Sequence, residues 1–213
     1  MASDPAEFWQ RRNSLTPTTD VPADVGGYRL VLLVDTTDPA VRAGYQSVHD
    51  ALDRFDCLDT SPPGSLHLTI KLFDIAVDPT TEGDWSPAVR RIDRIVARTL
   101  SEESPFEVTV TRFNLFPDVV YGEVADGGQL AELNRAVCDH PTVTALDRDR
   151  EAFIPHLTFG YFENDADFGA LVEFLESNRR LSLPSISVDE VELAAYEVGG
   201  RPPEYDRIAT YDL

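Results

Sequence analysis

LHLTIKLF at residues 66–73 and FIPHLTFGYF at residues 153–162 contain the same tripeptide, His67-Leu68-Thr69 in the first and His156-Leu157-Thr158 in the second. Both are short apolar runs bounded by turn-forming residues, which predicts a β-strand for each. In a strand, residues i and i+2 point to the same face, so each copy sets an imidazole beside a hydroxyl, about 7 Å apart along the chain. The copies lie 89 positions apart (156 − 67), one in each half of the 213-residue chain. By strict alternation His67, Thr69 and Lys71 share one face of the first strand, and Leu66, Leu68, Ile70 and Leu72 share the other. In the second strand His156, Thr158 and Gly160 share a face, with Gly160 leaving room for a ligand, while Leu157, Phe159 and Tyr161 fall opposite.

Working outward, YRLVLLVD from Tyr28 reads as a buried strand. Asp38-Pro39 supplies a helix N-cap and a first-turn proline, and Val41, Tyr45, Val48, Leu52 and Phe55 follow at helical spacing. After the motif strand, Ser86-Pro87 opens a helix with the stripe Val89, Ile92, Ile95, Val96 and Leu100. Phe106, Val108 and Val110 alternate with polar residues, predicting a strand whose partner is VVYGEV at 119–124. Leu130, Leu133 and Val137 mark a short helix, and Asp165 caps another with the stripe Phe168, Leu171, Val172 and Leu175. ISVDEVELAAYEV closes the main body, and RIATYDL adds an edge strand. Residues 1–26 are polar and rich in Pro, Asp and Thr, with only Phe8 and Trp9 as anchors; they read as an extension with little regular structure. Residues 27–213 then form a single α+β domain. It is bilobal, with two pseudo-symmetric β-α-β-α lobes whose antiparallel sheets face a central cleft.

The charge narrows the function. The net charge is −20 with a pI near 4.4, and every basic residue is Arg except Lys71. Such a surface fits a halophilic cell, where counterions screen self-repulsion. It also opposes non-specific nucleic-acid binding at low salt, leaving room for a few nucleotides or one RNA end. Cys57 and Cys138 are too few for a disulfide framework or a metal site, so two free thiols in a reducing compartment are expected. No apolar run of membrane-spanning length and no signal pattern stands out; a monomeric cytoplasmic protein with no membrane partner is expected.

Two imidazole–hydroxyl pairs around one volume suit phosphoryl transfer: imidazole exchanges protons near neutral pH, and hydroxyls donate to phosphate oxygens. No P-loop, acidic metal cluster or G-x-S-x-G appears, so no metal and no cofactor are expected. Lys71, the sole lysine, sits on the motif face and is a candidate phosphate-binding cation. His49 and His140 fit structural roles beside a helix stripe and at a helix end. Phe113 and Phe116 are candidates to stack a base, although core packing is the commoner role at such positions.

The paired HLT motifs, their strand contexts and the order of elements resemble the 2H phosphoesterase superfamily, in particular its 2′-5′ RNA ligase and RNA 2′,3′-cyclic phosphodiesterase branch, over residues 28–197. The resemblance implies a bilobal α+β fold with the two histidines facing across a cleft. It also implies metal-independent cleavage, or joining, of 2′,3′-cyclic or 2′-5′ phosphodiester bonds at RNA ends or in nucleotides. His67 and His156 are then the acid/base pair, and Thr69 and Thr158 the donors to phosphate oxygens. This chain departs from the pattern in one place. Many relatives carry a basic residue five positions after the second motif histidine, where Tyr161 offers a hydrogen bond without charge. Lys71, Arg112, Arg148 and Arg150 are candidates for the missing cation. Two alternatives are a non-catalytic module binding RNA ends or nucleotides, and a phosphoesterase for a small cyclic nucleotide metabolite.

Overall fold

The computed structural model describes residues 4–19, 27–78, 85–199 and 204–213. Among them the apolar runs become nine strands: β1 (Tyr28–Asp35), β2 (Leu58–Thr60), β3 (His67–Val77), β4 (Phe106–Leu115), β5 (Val119–Ala125), β6 (His156–Phe162), β7 (Ile186–Val188), β8 (Glu190–Glu197) and β9 (Tyr205–Asp212). They form one sheet in the order β7-β4-β5-β6-β3-β1-β8-β9, with β2 beside β6. The pairings are antiparallel. The two motif strands, β3 and β6, are central neighbours, and three strands extend outward from each. The two lobes are therefore halves of a shared sheet. Asp189 alone separates β7, at one edge, from β8, next to the other edge. So short a connection requires the sheet to curl into a half-barrel.

Helices cover one face: α2 (Pro39–Leu52), α3 (Pro87–Leu100), α4 (Gln129–Cys138) and α5 (Phe168–Ser177). Their starts follow the predicted caps where a side chain has a free amide to meet. Asp38 accepts from the Ala40 and Val41 amides, and Ser86 accepts from Val89. The α5 start differs. The helix begins after Asp167 rather than Asp165, and the Asp167 carboxylate is turned away to the Asp56 and Cys57 amides, both at 3.0 Å. The predicted stripes, including Tyr45, Leu52, Ile92, Val96, Leu171 and Leu175, bury against Leu30, Leu32, Leu68, Ile70, Leu157 and Phe159 of the sheet. Cys57 and Cys138 are free and buried in this core, and burial pushes their thiols up to about 12 and about 11. Among the described residues, no helix is long and apolar enough to cross a membrane.

The amino terminus corrects the expectation. Pro5–Arg11 form helix α1, and Arg12–Ser14 a 3-10 turn. The cause is local. Asp4 caps the Ala6 amide, the Trp9 ring lies under the guanidinium of Arg179 at 3.6 Å, and Asn114 Nδ2 donates to the Pro5 carbonyl at 2.8 Å. Tertiary contacts with β4 thus order a stretch whose composition reads as polar tail. Residues 20–26 of the same stretch lie outside the described residues.

Candidate active site

Strict alternation fails in both motif strands, at the same place. Leu33 pairs with Thr69 and Leu32 with Lys71, which leaves Ile70 as an extra residue. Tyr121 pairs with Thr158 and Val120 with Gly160, which leaves Phe159 extra. Each is a β-bulge three residues after the motif histidine, and each reverses the facing of everything beyond it. Position +4, Lys71 or Gly160, turns to the helix-covered side. Position +5, Leu72 or Tyr161, turns to the open face. There Leu72 and Tyr161 line a cavity of about 510 Å³ together with His67, Thr69, His156 and Thr158.

The seam between the halves sets the spacing of these groups. β3 and β6 pair with Leu68 opposite Leu157. In an antiparallel ladder this register carries His67 opposite Thr158 and Thr69 opposite His156. Neighbours across the strands stand about 5 Å apart, and those along a strand about 7 Å. The four side chains make a quadrilateral with the imidazoles on one diagonal and the hydroxyls on the other.

Each imidazole is oriented by the main chain. His67 Nδ1 lies 3.0 Å from the Ser65 carbonyl and His156 Nδ1 lies 2.8 Å from the Ile154 carbonyl, both acceptors two residues upstream. A carbonyl only accepts, so Nδ1 carries the hydrogen and Nε2 of the neutral ring is an acceptor in both cases. Burial holds both imidazoles below their ordinary range. His67 falls to about 4, with the nearby His156 contributing after burial. His156 is lowered by burial and then by Arg148, against the carbonyl of Ile154 and the carboxylate of Asp118, which raise it.

Tyr205, on β9, is a residue that sequence reasoning missed. Its hydroxyl lies 2.5 Å from His67 Nε2 and 3.0 Å from Nδ1. Because the Nδ1 hydrogen is committed to Ser65, the phenol donates to Nε2; burial pushes the phenol's pKa up and keeps it a donor. No sequence signal marks this residue, which stands 138 positions from its partner.

Lys71 does not face the cleft. It is 1 % exposed on the helix side of the bulge, where Nζ donates to the Leu72 carbonyl at 2.8 Å and pairs with Asp149. Burial works to raise the Asp149 carboxyl, but hydrogen bonds from Lys71, the Leu146 amide and Asn134 hold it below the usual range. Asn134 also accepts from the Arg150 amide at 2.8 Å, which holds Arg150 in the left-handed region at φ 58. This anchoring fixes the 146–150 loop, whose Arg148 lines the cavity. Arg150 itself turns to the Cys138 carbonyl and to Asp139, and Arg112 stands exposed opposite Glu123. Of the four candidate cations, Arg148 is the one brought to the site.

The aromatic candidates separate in the same way. Phe113 is core, at 3 % exposure. Phe116 lines the cavity, stacked on Tyr121 at 4.1 Å and edge-on to His156 at 5.1 Å. Among the described residues, no three His, Cys, Asp or Glu side chains gather as a metal-ligand group.

A curled antiparallel sheet with an HLT motif on each of two central strands defines an enzyme of the 2H phosphoesterase class. Residues 65–200 match the family model of the 2′-5′ RNA ligase superfamily, and the chain belongs to that family. It is 28% identical, over 192 residues, to an RNA 2′,3′-cyclic phosphodiesterase of Methanothermobacter thermautotrophicus, covering 87% of this chain and 98% of the relative. The fold is similar to that of a Thermus thermophilus protein, with TM-score 0.60 and 18% identity over 87% of this chain and 97% of the other. It is similar also to Escherichia coli LigT complexed with 3′-AMP, with TM-score 0.60 and 17% identity over 89% and 99%.

Proposed function

We propose that the protein opens 2′,3′-cyclic phosphates at RNA ends or in nucleotides, with His67 and His156 as general acid and base and no metal ion. The quadrilateral of two imidazoles and two hydroxyls lining one cavity carries this reading. In hydrolysis one Nε2 takes a proton from water as the water oxygen bonds to phosphorus. The other imidazole, protonated, gives its hydrogen to the departing 2′- or 3′-oxygen. Run backwards, the same steps join a cyclic phosphate to a free 5′-hydroxyl. Thr69 and Thr158 donate to the non-bridging oxygens as charge builds there. Tyr161 adds a hydroxyl, and Arg148 supplies the positive charge that Lys71 does not. In the free protein both imidazoles favour the neutral form; the phosphate's negative charge restores the proton affinity of one.

The relative from Methanothermobacter is named for this activity, and the LigT complex holds a nucleotide, which supports a ligand of that size. The cavity suits a nucleotide or one RNA end, and the acidic surface disfavours long RNA. A binding module without turnover has less support, because two imidazoles and two hydroxyls lining one cavity suit moving protons better than simple phosphate capture. The test offers RNA with a 2′,3′-cyclic end, a 2′-5′-linked dinucleotide and a nucleoside 2′,3′-cyclic phosphate, in high salt. His67→Ala and His156→Ala should each lower kcat by about 10²–10⁴-fold while circular dichroism stays unchanged. Near-normal turnover in either variant overturns the two-histidine mechanism.

A further inference from the structure

We propose that helix α1 builds a nucleobase subsite, with Phe8 and Phe116 as the aromatic wall that takes the base of the substrate nucleotide. This rests on the phosphodiesterase reading above and says where the rest of the substrate lies. Phe8 lines the cavity, and its ring meets Phe116 edge-on at 4.9 Å, while Phe116 meets His156 at 5.1 Å. Phe8, Phe116 and His156 thus run in sequence from the N-terminal helix to the phosphate gap. Neither phenylalanine is fully buried, so both keep apolar surface in the cavity. A partly exposed aromatic corner in the same cavity as the motif histidines has the chemistry to hold a purine or pyrimidine ring by stacking.

The helix that supplies Phe8 is docked by other residues. Trp9 is covered by Arg179, Arg12 Nε pairs with Glu176 at 2.6 Å, and Asn114 holds the Pro5 carbonyl. Truncating Phe8 therefore removes the aromatic face and leaves the helix attached. Phe8 lies outside the span 65–200 matched by the family model, and Phe116 lies within it. The opposite side of the cavity carries Tyr196 and Tyr205, stacked at 5.6 Å, with Tyr205 already engaged by His67. That engagement favours the Phe8 side for the base.

The experiment compares full-length wild type, Phe8→Ala, Phe8→Trp and Tyr196→Ala on a nucleoside 2′,3′-cyclic phosphate and on the base-less methyl ribofuranoside 2,3-cyclic phosphate. The readout is the ratio of kcat/KM between the two substrates. Phe8→Ala should lower this ratio about tenfold, through KM, and Phe8→Trp should keep or raise it. An unchanged ratio in Phe8→Ala, or a loss confined to Tyr196→Ala, overturns the subsite. If wild type turns over neither substrate, it is the phosphodiesterase reading that fails. Calorimetric binding of adenosine 2′-phosphate against ribose 2-phosphate then reads the same ratio, and equal effects of Phe8→Ala on both ligands refute the subsite independently.

Discussion

His67 gives its Nδ1 hydrogen to the Ser65 carbonyl and receives the Tyr205 hydroxyl at Nε2, so both nitrogens of the neutral ring are satisfied. Burial is the main cause that lowers the ring's pKa, with His156 adding to it against Ser65 and Asp35, to about 4 against 6.5 in an unstructured chain. Between those values the unfolded state binds the proton and the folded state does not. This residue's contribution to stability is complete above pH 6.5 and shrinks as the pH falls toward 4, by up to about 3 kcal/mol. Urea midpoints should therefore drop between pH 6.5 and 4.5, with His67→Ala flattening that drop; parallel curves for the two proteins would contradict it. The ring's hydroxyl partner, Tyr205, belongs to a strand whose pairing is set by β8, and no local pattern around His67 points to it.

At the scale of the element, the bulges decide which side chains the site contains. Ile70 and Phe159 are ordinary strand formers, so nothing in their chemistry marks the extra residue, and counting by twos carries Lys71 into the cleft and Tyr161 out of it. The histidines and threonines precede the bulges, which is why their facing was legible from spacing alone. The capped helices α2 and α3 were equally legible, since cap, proline and stripe agree. Helix α1 was not, because what orders it is the distant pair Arg179 and Asn114. Lys71 acquires a different role as the anchor of the loop that carries Arg148. Lys71→Met leaves Asp149 buried without its cation, and should cost about 3–5 kcal/mol in denaturant unfolding and lower kcat/KM as well. Replacing both partners with apolar residues should recover part of the stability while the activity stays low. Full activity in Lys71→Met would detach the loop from the site.

The whole molecule carries −20 on 213 residues, and its acidic side chains crowd a small surface. Raising KCl from 0.1 to 1 M shortens the screening length from about 10 Å to about 3 Å, which weakens repulsion between exposed carboxylates more than it weakens buried pairs such as Lys71 with Asp149. The thermal midpoint should climb by several degrees across that range, and a flat or falling midpoint would reject adaptation to a saline cytoplasm. Asp189 has a consequence on this scale. A single residue ties the last strand of one half to the strands flanking the other, so the chain itself tethers the outer margins of the two halves together. The spacing of the two motif histidines is then set by the sheet itself, through the register of β3 against β6. Phe8 of the amino-terminal helix and Arg148 of the arginine loop line the same cavity from outside these paired strands.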